Sequence, residues 1–321
     1  MTARRSMMLG ALAAPVLLRP AAAQTAAPAA PAQAPGFHRF RVGSFTATTI
    51  WDGFATRQNP GTGWVVNADT AAVDGALRDA MLSTTSLANP YIVTFLETPA
   101  GLTMFDAGTG GQLVPTSGGM IQNMGAAGLD PARVTRILVS HFHGDHITGL
   151  TTAQNTVVFP NAQVFVPEAE MAFWGDTANE GRAPQAQRGT FANVARRFGP
   201  YGQRVERFAA GAEIMPGVRA VAAYGHTPGH TVFHVADGNA QLFVTADAAS
   251  RPELFLRNPG WASVFDIDGA TAAATRRALF GRIAAERALM TAYHFPFPAV
   301  GRIGPMGEGF RFFPADWSSA L

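Results

Sequence analysis

The 321-residue chain contains no cysteine and no lysine. The absence of cysteine excludes disulfide bonds, thiolate metal ligands and a cysteine nucleophile. All 24 basic residues are arginine, and three of them (Arg4, Arg5 and Arg19) lie in an N-terminal segment that we expect to be removed. The other 21 compare with 22 acidic residues, so the charge balance gives no support to nucleic-acid binding. No Gly-x-Ser-x-Gly segment is present to supply a serine nucleophile.

The N-terminus has the features of an export signal, which we assign to residues 1–23. Arg4-Arg5 precede the apolar run Met7–Leu18, which is too short to span a bilayer, and Ala21-Ala22-Ala23 offers a cleavage site. The paired arginines resemble a twin-arginine signal, and an ordinary secretory signal or a weak membrane anchor is the alternative. Residues 24–36 are rich in alanine and proline and predict a disordered linker. We therefore expect a periplasmic or secreted protein.

Residues 37–321 are expected to form one domain that is rich in short strands. Apolar alternation predicts a strand over Phe40–Ile50, and Asp52-Gly53 after it is a turn signal. A further short strand is predicted at Thr156–Phe159, and residues 175–190 are polar enough to predict a mobile loop. The longest helical pattern runs over Ala270–Leu289. Strand-rich halves before and after residue 160 suggest pseudo-symmetry.

Three of the eight histidines fall within one six-residue segment, His-Phe-His-Gly-Asp-His at 141–146. The apolar residues Ile137–Ser140 before it predict a buried strand. In an extended chain His141 and His143 share one face, while Phe142 points to the core. Gly144 allows the chain to bend, so that Asp145 and His146 can turn towards the same site. Imidazoles and a carboxylate without any thiolate suit zinc or a similar divalent ion, so the segment predicts a metal site.

Other potential ligands also follow apolar strands. Asp106, His226, Asp247 and His294 each stand directly after one. Loops at strand ends are where a rigid sheet can present side chains together. His230 lies in the same loop as His226 and is expected to stabilise that loop. We therefore expect several distant segments to meet at one centre.

The H-x-H-x-D-H segment and these additional positions resemble the metallo-β-lactamase superfamily of hydrolases over nearly all of residues 37–310. The resemblance implies an α/β fold, an αββα sandwich of two mixed sheets flanked by helices, and two divalent metal ions, expected to be zinc. Asp106 corresponds to a buried structural residue of that family. Carried over position by position, the resemblance assigns His141, His143 and His226 to one ion, Asp145, His146 and His294 to the second, and Asp247 to a bridge between them.

Details of the motif narrow the branch. The absence of a cysteine ligand and the presence of Asp247 disfavour antibiotic hydrolysis, and His143 stands where flavodiiron oxygen reductases carry glutamate. The segments Pro115-Thr116 and Tyr293–Pro298 are similar to methyl parathion hydrolases and the lactonases near them. Acyl-homoserine lactonases commonly carry tyrosine three residues after the bridging aspartate, where this chain has Ser250.

The resemblance implies a binuclear hydrolase in which a bridging hydroxide attacks a lactone, an aryl ester or an organophosphate triester. Asp145 and Asp247 are the predicted catalytic residues, with Asp145 able to pass a proton to the leaving group. Trp174, Phe191 and Phe295 are predicted to contact substrate, unless they are core aromatics.

Two alternatives remain open at this point. One is a thioesterase similar to glyoxalase II, and the other is a periplasmic zinc-binding protein without catalysis. The expected partners are a small-molecule substrate and, as a possibility, a second copy of the chain. Neither nucleic acid nor stable membrane insertion is expected.

Overall fold

The computed structural model describes residues 33–319 of the chain. The predicted export signal at 1–23 lies outside the described residues, and of the predicted linker only residues 33–36 are described. Gly36 is anchored, since its N–H donates to Asn123 Oδ1 at 2.9 Å and its carbonyl accepts from the Trp51 N–H at 2.8 Å. Among the described residues, no helix is long and apolar enough to cross a membrane.

The first half of the chain forms a seven-stranded sheet whose strands follow chain order. The first four strands pair antiparallel, and the remaining neighbours pair parallel. The strands are β1 (Phe37–Val42), β2 (Phe45–Gln58), β3 (Ser86–Thr98), β4 (Gly101–Phe105), β5 (Val134–Leu138), β6 (Gln163–Pro167) and β7 (Val205–Phe208). The helices in this half are α1 (Thr70–Asp79), α2 (Met120–Ala126), α3 (Gly144–Ile147), α4 (Glu168–Trp174) and α5 (Gly189–Phe198).

The second half forms another seven-stranded sheet, again in chain order. Its pairing is antiparallel except between the fourth and fifth strands, which are parallel. The elements are β8 (Glu213–Met215), β9 (Val218–Ala222), β10 (Thr231–Asp237), β11 (Ala240–Val244), α6 (Gly269–Ala285), β12 (Leu289–Thr291), β13 (Val300–Met306) and β14 (Gly309–Pro314). Both sheets are mixed, which confirms the predicted fold class.

An apolar layer joins the two sheets. Phe105 of β4 and Phe233 of β10 pack with ring centroids 5.3 Å apart, and the Thr94 hydroxyl donates to the Thr291 hydroxyl at 3.1 Å. The outer face of the first sheet packs with residues of α2, α4 and α5, and that of the second sheet with residues of α1 and α6. The order is therefore helices, sheet, sheet, helices.

Helix α6 shows how the sequence specifies one of these outer layers. Asp268 caps its first turn by accepting from the Thr271 N–H at 3.0 Å, and Leu279, Phe280 and Ile283 are buried on one face, as the pattern predicts. The helix ends earlier than predicted, because Arg287 adopts a positive φ of 50° and the chain then enters β12.

The turn predicted at Asp52-Gly53 is wrong. Strand β2 continues through this dipeptide with a bulge, and Gly53 has a φ of +130°. The buried Asp52 carboxylate accepts from the N–H groups of Thr109 and Met120 at 2.8 and 3.0 Å. Asp52 therefore connects β2 with Thr109 and with the start of α2 through buried hydrogen bonds. The single strand predicted at Phe40–Ile50 is also wrong, because this segment contains the turn between β1 and β2.

Two other local predictions also differ from the structure. Residues Thr156–Phe159 make a single bridge, between Thr151 and Val157, rather than a strand. Residues 175–190 contain short 3-10 turns and the start of α5. Helix α5 buries Phe191 and Val194, and this packing stabilises a segment whose polarity alone predicts a loop.

Candidate metal centre

The H-x-H-x-D-H segment lies where β5 ends and α3 begins. Phe142 is fully buried with its ring 4.8 Å from that of Phe198, so the histidines on either side of it face the opposite way, as predicted. His143 is the residue that precedes the first turn of α3, and α3 itself carries Asp145 and His146. The bend expected after His143 is thus a short helix.

His141, His143 and His226 form a first group of nitrogen atoms. Nε2 of His141 lies 3.1 Å from Nδ1 of His143, and that atom lies 3.0 Å from Nε2 of His226. Rings at these distances point lone pairs at a common position rather than packing face to face. The group is suited to hold one ion.

Asp145, His146 and His294 form a second group, and Asp247 lies between the two groups. Asp145 Oδ2 is 3.6 Å from His146 Nε2 and 3.4 Å from His294 Nε2. Asp247 Oδ2 is 3.3 Å from His226 Nε2 and 3.1 Å from His294 Nε2, while its Oδ1 is 3.2 Å from His146 Nε2. The structure therefore brings together all seven predicted ligand residues, with Asp247 in the middle.

The loop that carries His226 fits tightly against two elements. Gly225 has a φ of +119°, and a Cβ there would lie 2.1 Å from the backbone nitrogen of Ala272 in α6. A Cβ on Gly229 would lie 2.4 Å from the backbone nitrogen of Glu170. Only glycine fits these two positions, and their close packing fixes where the His226 ring can lie.

Acceptors behind the rings orient them. His146 Nδ1 lies 2.8 Å from Asp106 Oδ2, which also accepts from the Ser140 hydroxyl at 2.8 Å. His226 Nδ1 lies 2.9 Å from Asp266 Oδ1. The Asp266 carboxylate is in turn held by Arg276 Nη2 at 2.8 and 2.9 Å. Such outer partners fix the tautomer, so that the other ring nitrogen presents its lone pair to a metal.

The remaining rings have outer partners as well. His294 Nδ1 lies 2.7 Å from the Pro90 carbonyl oxygen, and His143 Nε2 lies 3.3 Å from Gln187 Oε1. The His143 ring therefore presents Nδ1 to the centre. Asp266, Arg276 and Gln187 are functional residues that the sequence reasoning missed. The sequence contains no signal for them, because each lies in a segment without a motif.

Burial and charge determine the protonation of the centre. Burial lowers the pKa of His141 well below its usual range and that of His143 to about 3, so both rings are neutral, the form that binds metals. Burial would raise the pKa of Asp247, but the adjacent histidines lower it well below its usual range. His146, His226 and His294 lie within 3.3 Å of that carboxylate. Burial lowers the pKa of each ring and the Asp247 charge raises it, and the net effect is a raised pKa. A metal competes with those protons, so its affinity decreases as the pH falls.

The residues present fit divalent ions. His146 Nε2 and Asp247 Oδ1 are buried 3.2 Å from each other at the centre, and neither makes a hydrogen bond of good geometry to any residue that the structure describes. A buried lone pair or carboxylate oxygen without a partner is costly, and coordination removes that cost. A set of imidazoles and carboxylates matches zinc and similar ions.

His230 has the loop-stabilising contacts expected of it. Its Nδ1 lies 3.1 Å from the Ala223 carbonyl oxygen, and its Nε2 accepts from the Asp247 N–H at 3.2 Å. Burial lowers its pKa to about 3, so the ring is neutral. With both nitrogens engaged by the backbone, His230 fixes the peptide that carries Asp247.

Glu170 connects two ligand-bearing loops, and the sequence reasoning missed it. This fully buried carboxylate accepts from the Phe142 N–H at 3.0 Å, between His141 and His143, and from the Gly229 N–H at 2.6 Å, in the His226 loop. Burial raises its pKa to about 6, although the backbone hydrogen bonds oppose the rise. Glu170 thereby holds the two loops that supply the first group.

A cavity of about 370 Å³ opens onto the centre. Its walls are part polar and part aromatic, and the Ser250 position noted in the sequence is among them. Of the candidate ligands, His143, Asp145, Asp247 and His294 line the cavity, together with Thr56, Arg57, Trp64, Asn89, Tyr91, Gln187, Thr190, Ser250 and Phe265 among others.

The three aromatic residues predicted to contact substrate do not line this cavity. Trp174 packs behind His143, with ring centroids 6.4 Å apart, and against Phe191 at 5.0 Å. Phe295 is fully buried against Phe312. The structure thus places all three in the core, and Trp64, Tyr91 and Phe265 supply the aromatic walls instead.

Comparison with known proteins places the chain in a family. The model of the metallo-beta-lactamase superfamily matches residues 87–321. A 55-residue stretch is 40% identical to Ribonuclease Z of Methanothermobacter thermautotrophicus, and this local match spans 17% of the chain and 15% of that protein.

Several solved structures share the fold. The hydrolase AbOPH of the beta lactamase superfamily has a TM-score of 0.84 at 23% identity, covering 90% of this chain and all of its own. The dizinc quorum-quenching lactonase AidC has a TM-score of 0.82 at 23% identity, covering 88% of this chain and 99% of its own. A probable metal-dependent hydrolase from Staphylococcus aureus has a TM-score of 0.72 at 17% identity, and the match covers 87% of this chain and 99% of that one. The match to the family model shows that the chain belongs to the metallo-beta-lactamase superfamily.

Proposed function

We propose that the protein is a binuclear hydrolase of lactones, aryl esters or organophosphate triesters. The observation that carries the proposal is the position of Asp247, whose two carboxylate oxygens face histidines of both groups at 3.1 to 3.3 Å. Two divalent ions held by these groups would supply a hydroxide, from water ionised near neutral pH, and a Lewis acid for the oxygen that gains charge. AidC is described as a dizinc lactonase, and we propose zinc for this chain too.

The chain's own residues supply orientation and proton transfer. Asp145 lines the cavity, and its Oδ2 lies 3.4 Å from His294 Nε2. Because its carboxylate is at the cavity surface beside the metal centre, Asp145 can pass a proton to the leaving group. Tyr91 lines the same cavity. Burial raises its pKa, and the Asp145 and Asp247 carboxylates raise it further, so the phenol stays protonated. We therefore propose that the Tyr91 hydroxyl donates a hydrogen bond to the substrate.

A panel of substrates tests the proposed function. Purified protein with measured metal content is offered a γ-lactone, an aryl ester, a phosphotriester and S-lactoylglutathione. We expect turnover of at least one of the first three that disappears with chelator and returns with added zinc. Turnover of S-lactoylglutathione alone would contradict the proposal in favour of the thioesterase alternative, and full metal occupancy without turnover would favour a zinc-binding protein.

We also propose that the protein is exported, on the evidence of Arg4-Arg5 and the apolar run that follows. Replacing both arginines by lysine is expected to retain the protein in the cytoplasm, because the twin-arginine route depends on the pair. Cell fractionation measures this. Unchanged export of the double variant would indicate the ordinary secretory route.

A further inference from the structure

Arg57 is a cation in the wall of the active-site cavity that has no anionic partner. It lies near the end of β2, half-buried, and lines the cavity together with Asp145 and Asp247. No hydrogen bond or ion pair joins its guanidinium to any residue that the structure describes, and its Nε is buried without a partner. Its only close contact of an electrostatic kind among those residues is the Trp64 ring, whose centroid is 5.7 Å away.

Such a placement costs stability. Burial lowers the pKa of Arg57, which reflects the cost of removing the guanidinium from water. The buried arginines among the described residues all have acceptors: Arg276 pairs with Asp266 at 2.8 Å and Arg251 with Glu253 at 3.1 Å. Arg197 donates to the neutral oxygens of Asn193, Thr151 and Gln112. The half-buried Arg57 differs from these three, and it is the one in the cavity wall.

The rest of the wall leaves Arg57 available to a ligand. Asp145 and Asp247 are the carboxylates that line the cavity, and both belong to the metal centre. Trp64 presents a further donor, since its buried Nε1 has no acceptor among the described residues. Arg57 and Trp64 are therefore two donors in the cavity wall without acceptors among the described residues, and Asn89 Oδ1 in the same wall is an acceptor without a donor. A guanidinium binds carboxylate or phosphate oxygens in a bidentate manner and stacks on aromatic rings.

We propose that Arg57 binds an anionic group of the substrate, separate from the bond that is hydrolysed. This inference rests on the proposed function and narrows it to esters or lactones that carry a carboxylate. With a cavity of about 370 Å³, the anionic group and the scissile bond belong to one small molecule. Arg57 is then a specificity-determining residue, which acts on binding rather than on the chemical step.

The first test compares two aryl esters with the same leaving group. Mono-4-nitrophenyl glutarate carries a distal carboxylate, and 4-nitrophenyl hexanoate carries an ethyl group in its place. Metal-loaded protein is expected to prefer the glutarate ester in kcat/KM, after subtraction of spontaneous hydrolysis. Arg57→Met should lower that preference by about 10–100-fold through KM, the loss expected for one charge-assisted hydrogen bond, with kcat for the hexanoate ester unchanged. Arg57→Lys should restore part of it.

Controls separate this role from a structural one. Arg219→Met removes an exposed arginine of β9 that pairs with Glu213 at 3.4 Å, and it should leave kcat/KM unchanged for both esters. The metal content of Arg57→Met should match that of the wild type, and its melting temperature should not fall below the wild-type value, because the substitution removes a charge that is costly to bury. The preference should also weaken as salt increases. The proposal would be overturned if the wild type hydrolysed the two esters with equal kcat/KM, or if Arg57→Met lowered kcat/KM equally for both.

Binding distinguishes failure of this inference from failure of the proposed function. Glutaranilic acid and hexananilide keep the two acyl chains on an amide, and calorimetry measures their affinity without turnover. If neither these esters nor the lactone and phosphotriester of the substrate panel are hydrolysed, the proposed function fails, and the binding measurement still tests Arg57. Tighter binding of glutaranilic acid that is lost in Arg57→Met supports the anion site, whereas equal affinities in the two proteins overturn it.

Discussion

Replacing Asp247 by asparagine is expected to lower kcat by more than about 100-fold for a lactone, an aryl ester and a phosphotriester alike. Loss of an outer-shell partner of a metal site costs about 10–100-fold, and Asp247 lies closer to the centre than any such partner. The asparagine keeps the size of the side chain but removes the charge that faces both groups of histidines. Steady-state kinetics on metal-loaded protein measure the effect, and kcat/KM should fall with kcat.

Two other aspartates provide a scale for this effect. Asp266→Asn changes the acceptor behind His226 and removes the charge that pairs with Arg276, and it should lower kcat by about 10–100-fold. Asp237→Asn removes a half-buried charge at the end of β10 that accepts from Ser44 in the turn between β1 and β2, and it should leave kcat unchanged. An Asp247→Asn variant that lost phosphotriesterase activity and kept full esterase activity would show that the two reactions do not share one centre.

His294→Ala is expected to reduce the metal content from about two ions per chain to about one. His294 Nε2 is 3.4 Å from Asp145 Oδ2 and belongs to the second group, while the three histidines of the first group remain intact. Elemental analysis of protein purified without chelator measures the count. If the fully active wild-type protein contained only one ion per chain, the proposal of a binuclear centre would be contradicted.

His230→Ala is the matched control, since it removes a buried histidine of the same centre that is held by the backbone instead. The metal count should stay near two. The substitution leaves the Ala223 carbonyl and the Asp247 N–H without their partner, and each buried group without a partner costs about 1–3 kcal/mol. Unfolding by denaturant should therefore show a clear loss of stability. Equal loss of metal in the two variants would remove the distinction between ligand and support.

The sequence predicts the centre well where ligands lie close together or directly after strands. The segment 141–146 carries its own spacing, so alternation in an extended chain and a bend after His143 are sufficient to orient it. His226, Asp247 and His294 follow apolar runs, and the ends of strands in one sheet lie at a common edge. The fold class follows from the family resemblance that the H-x-H-x-D-H segment carries, because the strand pattern by itself indicates only a strand-rich domain with two similar halves.

The supports of the centre could not be predicted, because their partners are distant in sequence. Asp266 meets His226 across 40 residues, and Glu170 meets Phe142 across 28 and Gly229 across 59. An acidic residue in a helix or a loop has the same local pattern whether it is buried or solvated. The same holds for Trp174: an aromatic residue on α4 packs into the core or lines a cavity according to tertiary contacts alone.

The hydrogen bonds behind the histidine rings also have a consequence for how the protein acquires its ions. Asp106, Asp266, Gln187 and the Pro90 carbonyl hold the rings from the side away from the ions, so their orientation is set by the polypeptide. Capture of an ion then needs little rearrangement, and the exchange of one divalent ion for another should not require refolding. The polypeptide determines where an ion binds, and the supply of ions in the compartment where it folds determines which ion that is.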